Sequence, residues 1–169
     1  MTFPIFVELE GRECLVVGAG PVAKRKARAL EEFGARVTLV APELNHSFTE
    51  SDLDGKTLVV AATDDEAVNA RVSALCRARH VPVNVVDDPA KCTFLFPAIA
   101  RKGPLVAAFS SGGTVPVAAQ MMRDAFAPTL TDEFAAAAER LGAERAKIKA
   151  RFPDPVARRE YYRRELAGE

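Results

Sequence analysis

The sequence has 169 residues, of which 49% are hydrophobic, and this suits one globular domain or one domain with an appendage. Its 23 basic side chains balance 23 acidic ones, so no overall field attracts nucleic acid or an anionic membrane. The sequence shows neither a membrane-length apolar stretch nor a signal-peptide pattern, and its 3 cysteines fit neither a disulfide framework nor a metal site. We therefore expect a cytoplasmic protein that contacts neither nucleic acid nor a membrane.

Strand and helix patterns alternate through the first 90 residues. The apolar, strand-like runs are 13–20, 35–42, 56–63 and 81–87. The amphipathic helices between them run from Pro21 to Gly34 and from a cap at Thr63 or Asp64 to about Arg79. This alternation predicts an α/β fold with a Rossmann-like parallel sheet.

The pattern changes after residue 90. Two apolar runs within 93–111 flank the turn sequence RKGP with no helix between them, which predicts a hairpin. Three helices should follow: one opening near Thr114 or Pro116, one over 131–152, and one beginning at an Asp154 cap.

A glycine motif follows the first strand and opens the first helix. Gly18-Ala-Gly20-Pro-Val-Ala23 matches the dinucleotide-binding pattern G-x-G-x-x-A. Gly18 permits the tight turn, Gly20 lets the backbone approach a pyrophosphate, and Ala23 keeps helix and strand close. The alternative is a glycine turn that binds nothing.

The acidic residue that usually binds the ribose is not cleanly present. The first acid after the second strand is Glu43, which is either a ribose partner or a solvated loop residue. No arginine follows that strand directly, which favours NAD over NADP. The basic residues of the first helix should form a solvated face, with a phosphate contact as the alternative: Lys24, Arg25, Lys26 and Arg28.

Four stretches of the sequence together resemble one family. They are residues 3–42, 52–69, 84–98 and 110–124. In this order they resemble precorrin-2 dehydrogenase, the dehydrogenase/ferrochelatase module of siroheme synthase. The resemblance implies NAD-dependent oxidation of precorrin-2 to sirohydrochlorin, with Fe2+ insertion as a further activity of some members. It is close over residues 3–125 and loose over the helical tail.

The resemblance also implies roles for particular residues. Asp87, expected to end the fourth strand, would be catalytic and a candidate ligand for the metal ion, whereas Asp88 would form the turn. Gly18, Gly20, Pro21, Val22, Ala23, Pro42, Glu43 and Thr63 would bind the cofactor. The resemblance places Ser111 close to the substrate. The flexible backbone of Ser111, Gly112, Gly113 and Thr114 before a helix could itself bind a substrate carboxylate, the alternative being a loop capped by Thr114. Asn84 is a further substrate candidate, although strand alternation puts it opposite Asp87.

The family's architecture implies a homodimer built partly by exchanged strands. The predicted divisions are an NAD-binding domain (1–90), dimerisation strands (91–113) and a C-terminal helical region (114–169). Only residues 43–51 stand where the family carries another helix and strand. We therefore expect a sheet that lacks one edge unit and has a more open adenosine side.

Two other functions are compatible with these patterns. One is a dinucleotide-sensing regulatory dimer, which needs the glycine turn but not a strand-end carboxylate. The other is a chelatase without redox activity, which the shortened nucleotide domain would permit.

Overall fold

The chain consists of two compact units, Met1–Phe96 and Pro97–Glu169, as seen in a computed structural model that describes residues 2–168. Each unit is described by itself below. The three-part division expected from the sequence stays a prediction. Within residues 2–168, none of the helices combines the length and the apolar character that crossing a membrane requires.

The first unit is built on a parallel sheet of four strands in the order β2-β1-β3-β4. The strands are β1 (Glu13–Val17), β2 (Arg36–Val40), β3 (Leu58–Ala61) and β4 (Val83–Val85). The helices are α1 (Pro21–Glu31) and α2 (Glu66–Ala78). This confirms the Rossmann-like prediction, and β2 forms the edge at which the family's additional unit would lie.

Two apolar layers cover the faces of this sheet. One layer joins Cys14 and Val16 of β1 to Ala23, Ala27 and Leu30 of α1. The other joins the alternate residues of the same strands to α2; its members include Leu15, Val17, Val59, Val72 and Cys76. The strands read as continuous apolar runs because both faces are covered.

The connection between β2 and β3 is as short as the sequence predicts. Over residues 41–57 it contains a single 3-10 turn, Glu50–Leu53, and no strand. Thr49 and Asp52 cap this turn reciprocally. Phe48 and Leu53 are buried in the α2-side layer, so the connection is anchored in the core.

The second unit pairs an antiparallel hairpin with helices. The strands β5 (Ala98–Lys102) and β6 (Leu105–Phe109) form the predicted hairpin. The helices are α3 (Pro116–Phe126), α4 (Asp132–Ala143), α5 (Arg145–Arg151) and α6 (Pro155–Ala167). The prediction of three helices was wrong, because the helix expected over 131–152 breaks at Glu144, just after the poor helix former Gly142.

Several predicted boundaries also need correction. The α2 cap is Asp65, whose carboxylate accepts from the N–H groups of Ala67 (2.8 Å) and Val68 (3.2 Å). The helix α3 begins after Val115, so Thr114 is not its cap. The strand β4 ends at Val85, which leaves Asp87 in the following turn and not at the strand end.

Candidate functional site

The ends of the parallel strands meet at one edge of the sheet. Gly18 N–H donates to the Val40 carbonyl (2.8 Å), which ties the end of β1 to that of β2. Ala62 N–H donates to the Val17 carbonyl (2.8 Å), which ties β3 to β1. Val86 N–H donates to the Ala61 carbonyl (2.9 Å), which ties the end of β4 to that of β3. Open α/β sheets bind ligands at this carboxyl edge.

Gly18 is the tightest point of this edge. Its φ is +126°, in a region that favours glycine, and a Cβ at this position would lie 2.3 Å from the Ala62 carbonyl oxygen. No other residue fits without moving the backbone. The glycine turn therefore lies directly against the chain that leaves β3.

Gly20, in contrast, faces open space. A Cβ added there would meet no atom within 4 Å. Gly20 is the N-cap of α1, no side chain caps the helix, its first turn holds no acidic residue, and Pro21 is at the first helical position. Free N–H groups beside open space suit a pyrophosphate. Val22 is half-buried and Ala23 is fully buried beneath this helix start.

The chain that follows β3 is held by a residue that the sequence reasoning missed. Asn69 of α2 is 7% exposed, and its Oδ1 accepts from the Thr63 N–H (3.2 Å) and hydroxyl (2.8 Å). Its Nδ2 donates to the Thr63 carbonyl (2.8 Å). The signal was available: Asn69 is a polar residue on the inward-facing stripe of α2, three positions before Val72.

Asp87 is exposed and lies two residues beyond β4, in the left-handed region with a φ of +58°. Such a conformation is costly for a residue with a Cβ, although less so for aspartate. Asp88 takes the turn role that was predicted for it. Its N–H donates to the Val85 carbonyl (3.3 Å), and its carboxylate accepts from the Lys91 N–H (3.3 Å) and pairs with the Lys91 ammonium. The Lys91 side chain lowers the pKa of Asp88.

Lys24, Arg25 and Arg28 are exposed as expected, whereas Lys26 departs from the expectation of a solvated basic face. Its ammonium lies 3.8 Å from the centre of the Phe96 ring, and the side chain is half-buried. Burial lowers the pKa of Lys26 and repulsion from Arg25 adds to this, whereas attraction to Asp87 opposes it. A cation therefore stands close enough to Asp87 to attract its carboxylate. Lys26 flanks the buried stripe of α1, which is the sequence signal that was missed.

The amide of Asn84 is used inside the fold. Asn84 is 7% exposed, and its Nδ2 donates to the Phe94 carbonyl (3.1 Å) and the Cys92 sulfur (3.4 Å). Thr93 extends this attachment, because its N–H donates to the Val83 carbonyl (2.8 Å). Burial raises the pKa of Cys92, which also accepts a hydrogen bond from the N–H of Val85 (3.2 Å). Residues 92–94 are thus fastened along β4.

The serine-glycine loop lies in the second unit. The Ser111 hydroxyl oxygen accepts from the Val115 N–H (3.0 Å), and the Thr114 hydroxyl donates to the Ser111 carbonyl (2.7 Å). Gly112 and Gly113 have φ values of +67° and +82°. The loop is closed by its own hydrogen bonds while its glycine backbone stays exposed.

Within residues 2–168, no three His, Cys, Asp or Glu side chains group closely enough to hold a metal ion. Asp87 is therefore not part of a preformed cluster of such ligands. Pro42 and Glu43, which follow β2, are both exposed.

A parallel sheet with a glycine turn at the start of α1 defines a dinucleotide-binding protein of the Rossmann type. Residues 5–98 match the family model described as "Putative NAD(P)-binding", and the chain belongs to this family.

Similar proteins extend the likeness beyond this domain. The siroheme synthase of Pseudomonas entomophila (strain L48) is 44% identical over 184 residues, covering 98% of this chain and 39% of the relative. The siroheme synthase of Thioalkalivibrio sulfidiphilus (strain HL-EbGR7) is 42% identical over 185 residues, covering 98% and 37%. The chain thus spans about two fifths of the length of these relatives. Both alignments are longer than the chain, so the relatives carry residues that it lacks.

A solved structure has the same fold. The structure titled "SirC, precorrin-2 dehydrogenase" superposes with a TM-score of 0.65, covering 99% of this chain and 100% of the other at 20% sequence identity. At that identity the likeness concerns the fold.

Proposed function

We propose that this chain binds NAD+ and oxidises precorrin-2 to sirohydrochlorin, a step of siroheme biosynthesis. Its likeness to siroheme synthases along 98% of its length supports this. The observation that carries the proposal is the presence, at one edge of the sheet, of an open glycine turn at Gly20 and the exposed carboxylate of Asp87.

The proposed cofactor site follows the carboxyl edge of the sheet. The turn at Gly18 and Gly20 and the start of α1 at Pro21, Val22 and Ala23 would hold the pyrophosphate. Pro42 and Glu43 would lie beside the adenosine ribose. Thr63, fixed by Asn69, would border the cofactor after β3. Glu43 and the lack of an arginine directly after β2 favour NAD over NADP.

The proposed catalytic residue is Asp87. Dehydrogenation of precorrin-2 breaks one C–H bond, from which a hydride leaves. It also breaks a second bond, C–H or N–H, from which a proton leaves. When bound, NAD+ supplies the hydride acceptor. Asp87 accepts the proton at a carboxylate oxygen, which its exposed position beyond β4 leaves free to approach the substrate.

The loop formed by Ser111, Gly112, Gly113 and Thr114 is the proposed contact for a substrate carboxylate. The Gly112 N–H donates to the Ser110 hydroxyl oxygen (3.1 Å), so an anion would approach the exposed backbone at Gly113. For Asn84 we propose a structural role, because both of its donated bonds already hold residues 92–94.

The function is tested by incubating the protein with precorrin-2 and NAD+ and following the tetrapyrrole spectrum. We expect Asp87→Asn to lower turnover at least about 100-fold while NAD+ binding is kept, because it removes the base. Asp88→Asn is the matched control and should retain turnover within a few-fold. Full turnover by Asp87→Asn would refute the catalytic assignment. If the wild-type protein binds NAD+ but does not turn over precorrin-2, the alternative of a dinucleotide-sensing regulatory dimer is favoured.

Metal insertion and dimerisation complete the proposal. Adding Fe2+ or Co2+ to sirohydrochlorin with the protein tests chelation, and chelation without precorrin-2 oxidation would favour the chelatase. A homodimer is proposed because the family resemblance implies one, and because α3, on which β5 and β6 pack, leaves Val117, Met121 and Met122 exposed as an apolar surface that a second copy would cover. Light scattering during gel filtration would refute it by giving the mass of one chain.

A further inference from the structure

The edge strand β2 exposes hydrogen-bonding groups on its outer side. Arg36 N–H donates to the Arg12 carbonyl (2.8 Å), and the Val40 carbonyl accepts from Gly18 N–H (2.8 Å). Groups of a strand alternate in direction, so those of Leu39 and Ala41 point away from β1. A further strand would pair with them, and none of the strands in residues 2–168 lies there.

The side chain of Asn45 pairs with two of these outward groups. Its Nδ2 donates to the Leu39 carbonyl (2.9 Å), and its Oδ1 accepts from the Ala41 N–H (3.2 Å). In a parallel ladder one residue of the neighbouring strand makes this same pair of bonds, to residues two positions apart. The amide of Asn45 thus replaces one residue of the absent strand.

The same asparagine closes the chain after β2 into a turn. The N–H groups of Leu44 and Asn45 both donate to the Ala41 carbonyl (3.0 Å each), and Asn45 Oδ1 also accepts from the His46 N–H (2.8 Å). Pro42 and Glu43 are exposed on this turn, immediately after the strand end that binds Gly18.

We propose that Asn45 is a positioning residue for the adenosine half of the dinucleotide, standing in for the missing strand and holding Pro42 and Glu43 beside the ribose. This inference rests on the proposed binding of NAD+. Asn45 acts by fixing Pro42 and Glu43, because its own amide is already hydrogen-bonded to the backbone of Leu39 and Ala41. Asparagine suits this role because its short side chain carries both an N–H donor group and a carbonyl acceptor.

The test compares NAD+ with each of its halves. Wild type, Asn45→Ala and Thr49→Ala are titrated with NAD+, ADP-ribose and nicotinamide mononucleotide. Thr49→Ala is the matched control, since it removes the cap of the 3-10 turn in the same connection without touching β2. We expect Asn45→Ala to weaken NAD+ and ADP-ribose at least about fivefold, the effect of one to two lost hydrogen bonds, and to leave the mononucleotide within twofold.

Three outcomes would overturn the inference: unchanged ADP-ribose affinity in Asn45→Ala, an equal loss for the mononucleotide, or an equal loss in Thr49→Ala. If circular dichroism shows that Asn45→Ala is unfolded, Asn45→Ser replaces it, because serine is uncharged, is favoured in turns and lacks the amide that bridges Leu39 and Ala41. The expected affinities and the outcomes that would overturn the inference are then the same for the replacement variant. A wild type that binds neither NAD+ nor ADP-ribose overturns the proposed cofactor, and this inference with it. Binding by the wild type with no effect of the variants overturns only the role of Asn45.

Discussion

The ammonium of Lys26 lies 3.8 Å from the centre of the Phe96 ring, so that a cation of α1 covers an aromatic side chain at the end of the first unit. Burial and repulsion from Arg25 lower the pKa of Lys26, and the opposing attraction comes from Asp87. The cation–π contact with Phe96 and the attraction of Asp87 therefore both act on this lysine.

Replacing Lys26 should reduce catalysis more than stability. Lys26→Met keeps apolar contact with Phe96 but removes the charge that attracts Asp87, and we expect turnover of precorrin-2 to fall roughly tenfold. Lys26→Arg should retain most activity because it keeps the cation. Initial rates at saturating NAD+ measure the effect. The exposed Lys24 provides the control, and the role fails if Lys26→Met and Lys24→Met have equal rates.

Alanine should affect different properties at the two glycines of the turn, namely stability at Gly18 and NAD+ affinity at Gly20. Gly18→Ala should lower the free energy of unfolding by more than about 2 kcal/mol, because its Cβ meets the Ala62 carbonyl oxygen at 2.3 Å. Gly20→Ala should stay within about 1 kcal/mol of wild type, since the space there is open, yet bind NAD+ at least tenfold more weakly. Urea unfolding and NAD+ titration check the pair. Undiminished NAD+ affinity in Gly20→Ala would contradict the placement of the pyrophosphate.

In the described part of the chain, residues 2–168, two residues other than glycine have a positive φ, His80 (+56°) and Asp87 (+58°). Glycine should relieve the strain at both positions. His80 follows the end of α2, where Val81 N–H returns to the Cys76 carbonyl (2.8 Å), a position that glycine usually occupies. We expect His80→Gly to stabilise the protein by about 0.5–1 kcal/mol with full activity. Asp87→Gly should keep or raise stability while turnover is lost. Thermal unfolding and activity assays separate the two, and a strongly destabilised Asp87→Gly would show a structural need for the carboxylate.

Stability should decline in alkali through a buried thiol. Burial raises the pKa of Cys76 from 9.0 to about 11, against attraction from Arg79. The pKa of Cys76 is higher in the folded protein than in the unfolded chain. The free energy that the neutral thiol contributes to folding is therefore fully present below pH 9 and is lost as the pH rises towards 11. Cys76→Val should therefore show a flatter decline of unfolding free energy between these pH values than wild type. Equal slopes in urea titrations would contradict this origin.

The continuous apolar strands were predictable because burial on both faces leaves no room for polar alternation. The glycine turn was predictable because its chemistry requires those residues at that spacing. The shortness of the β2–β3 connection followed from counting residues 43–51. The break at Glu144 was missed because an alanine-rich pattern continues through it, and the α2 cap was misplaced because Thr63 bonds to Asn69 instead.

The order of local residues was enough to establish the alternation of strands and helices, the turn at Gly18 and the absence of an edge unit, since each depends on neighbours in the chain. Folding alone brought Lys26 to Phe96, turned the Asn45 amide onto the outer edge of β2, and put Asp87 into a left-handed turn. Periodicity reveals which side of a helix or strand is covered. It does not reveal which distant residue covers it, because that contact forms only when the sheet and helices have packed.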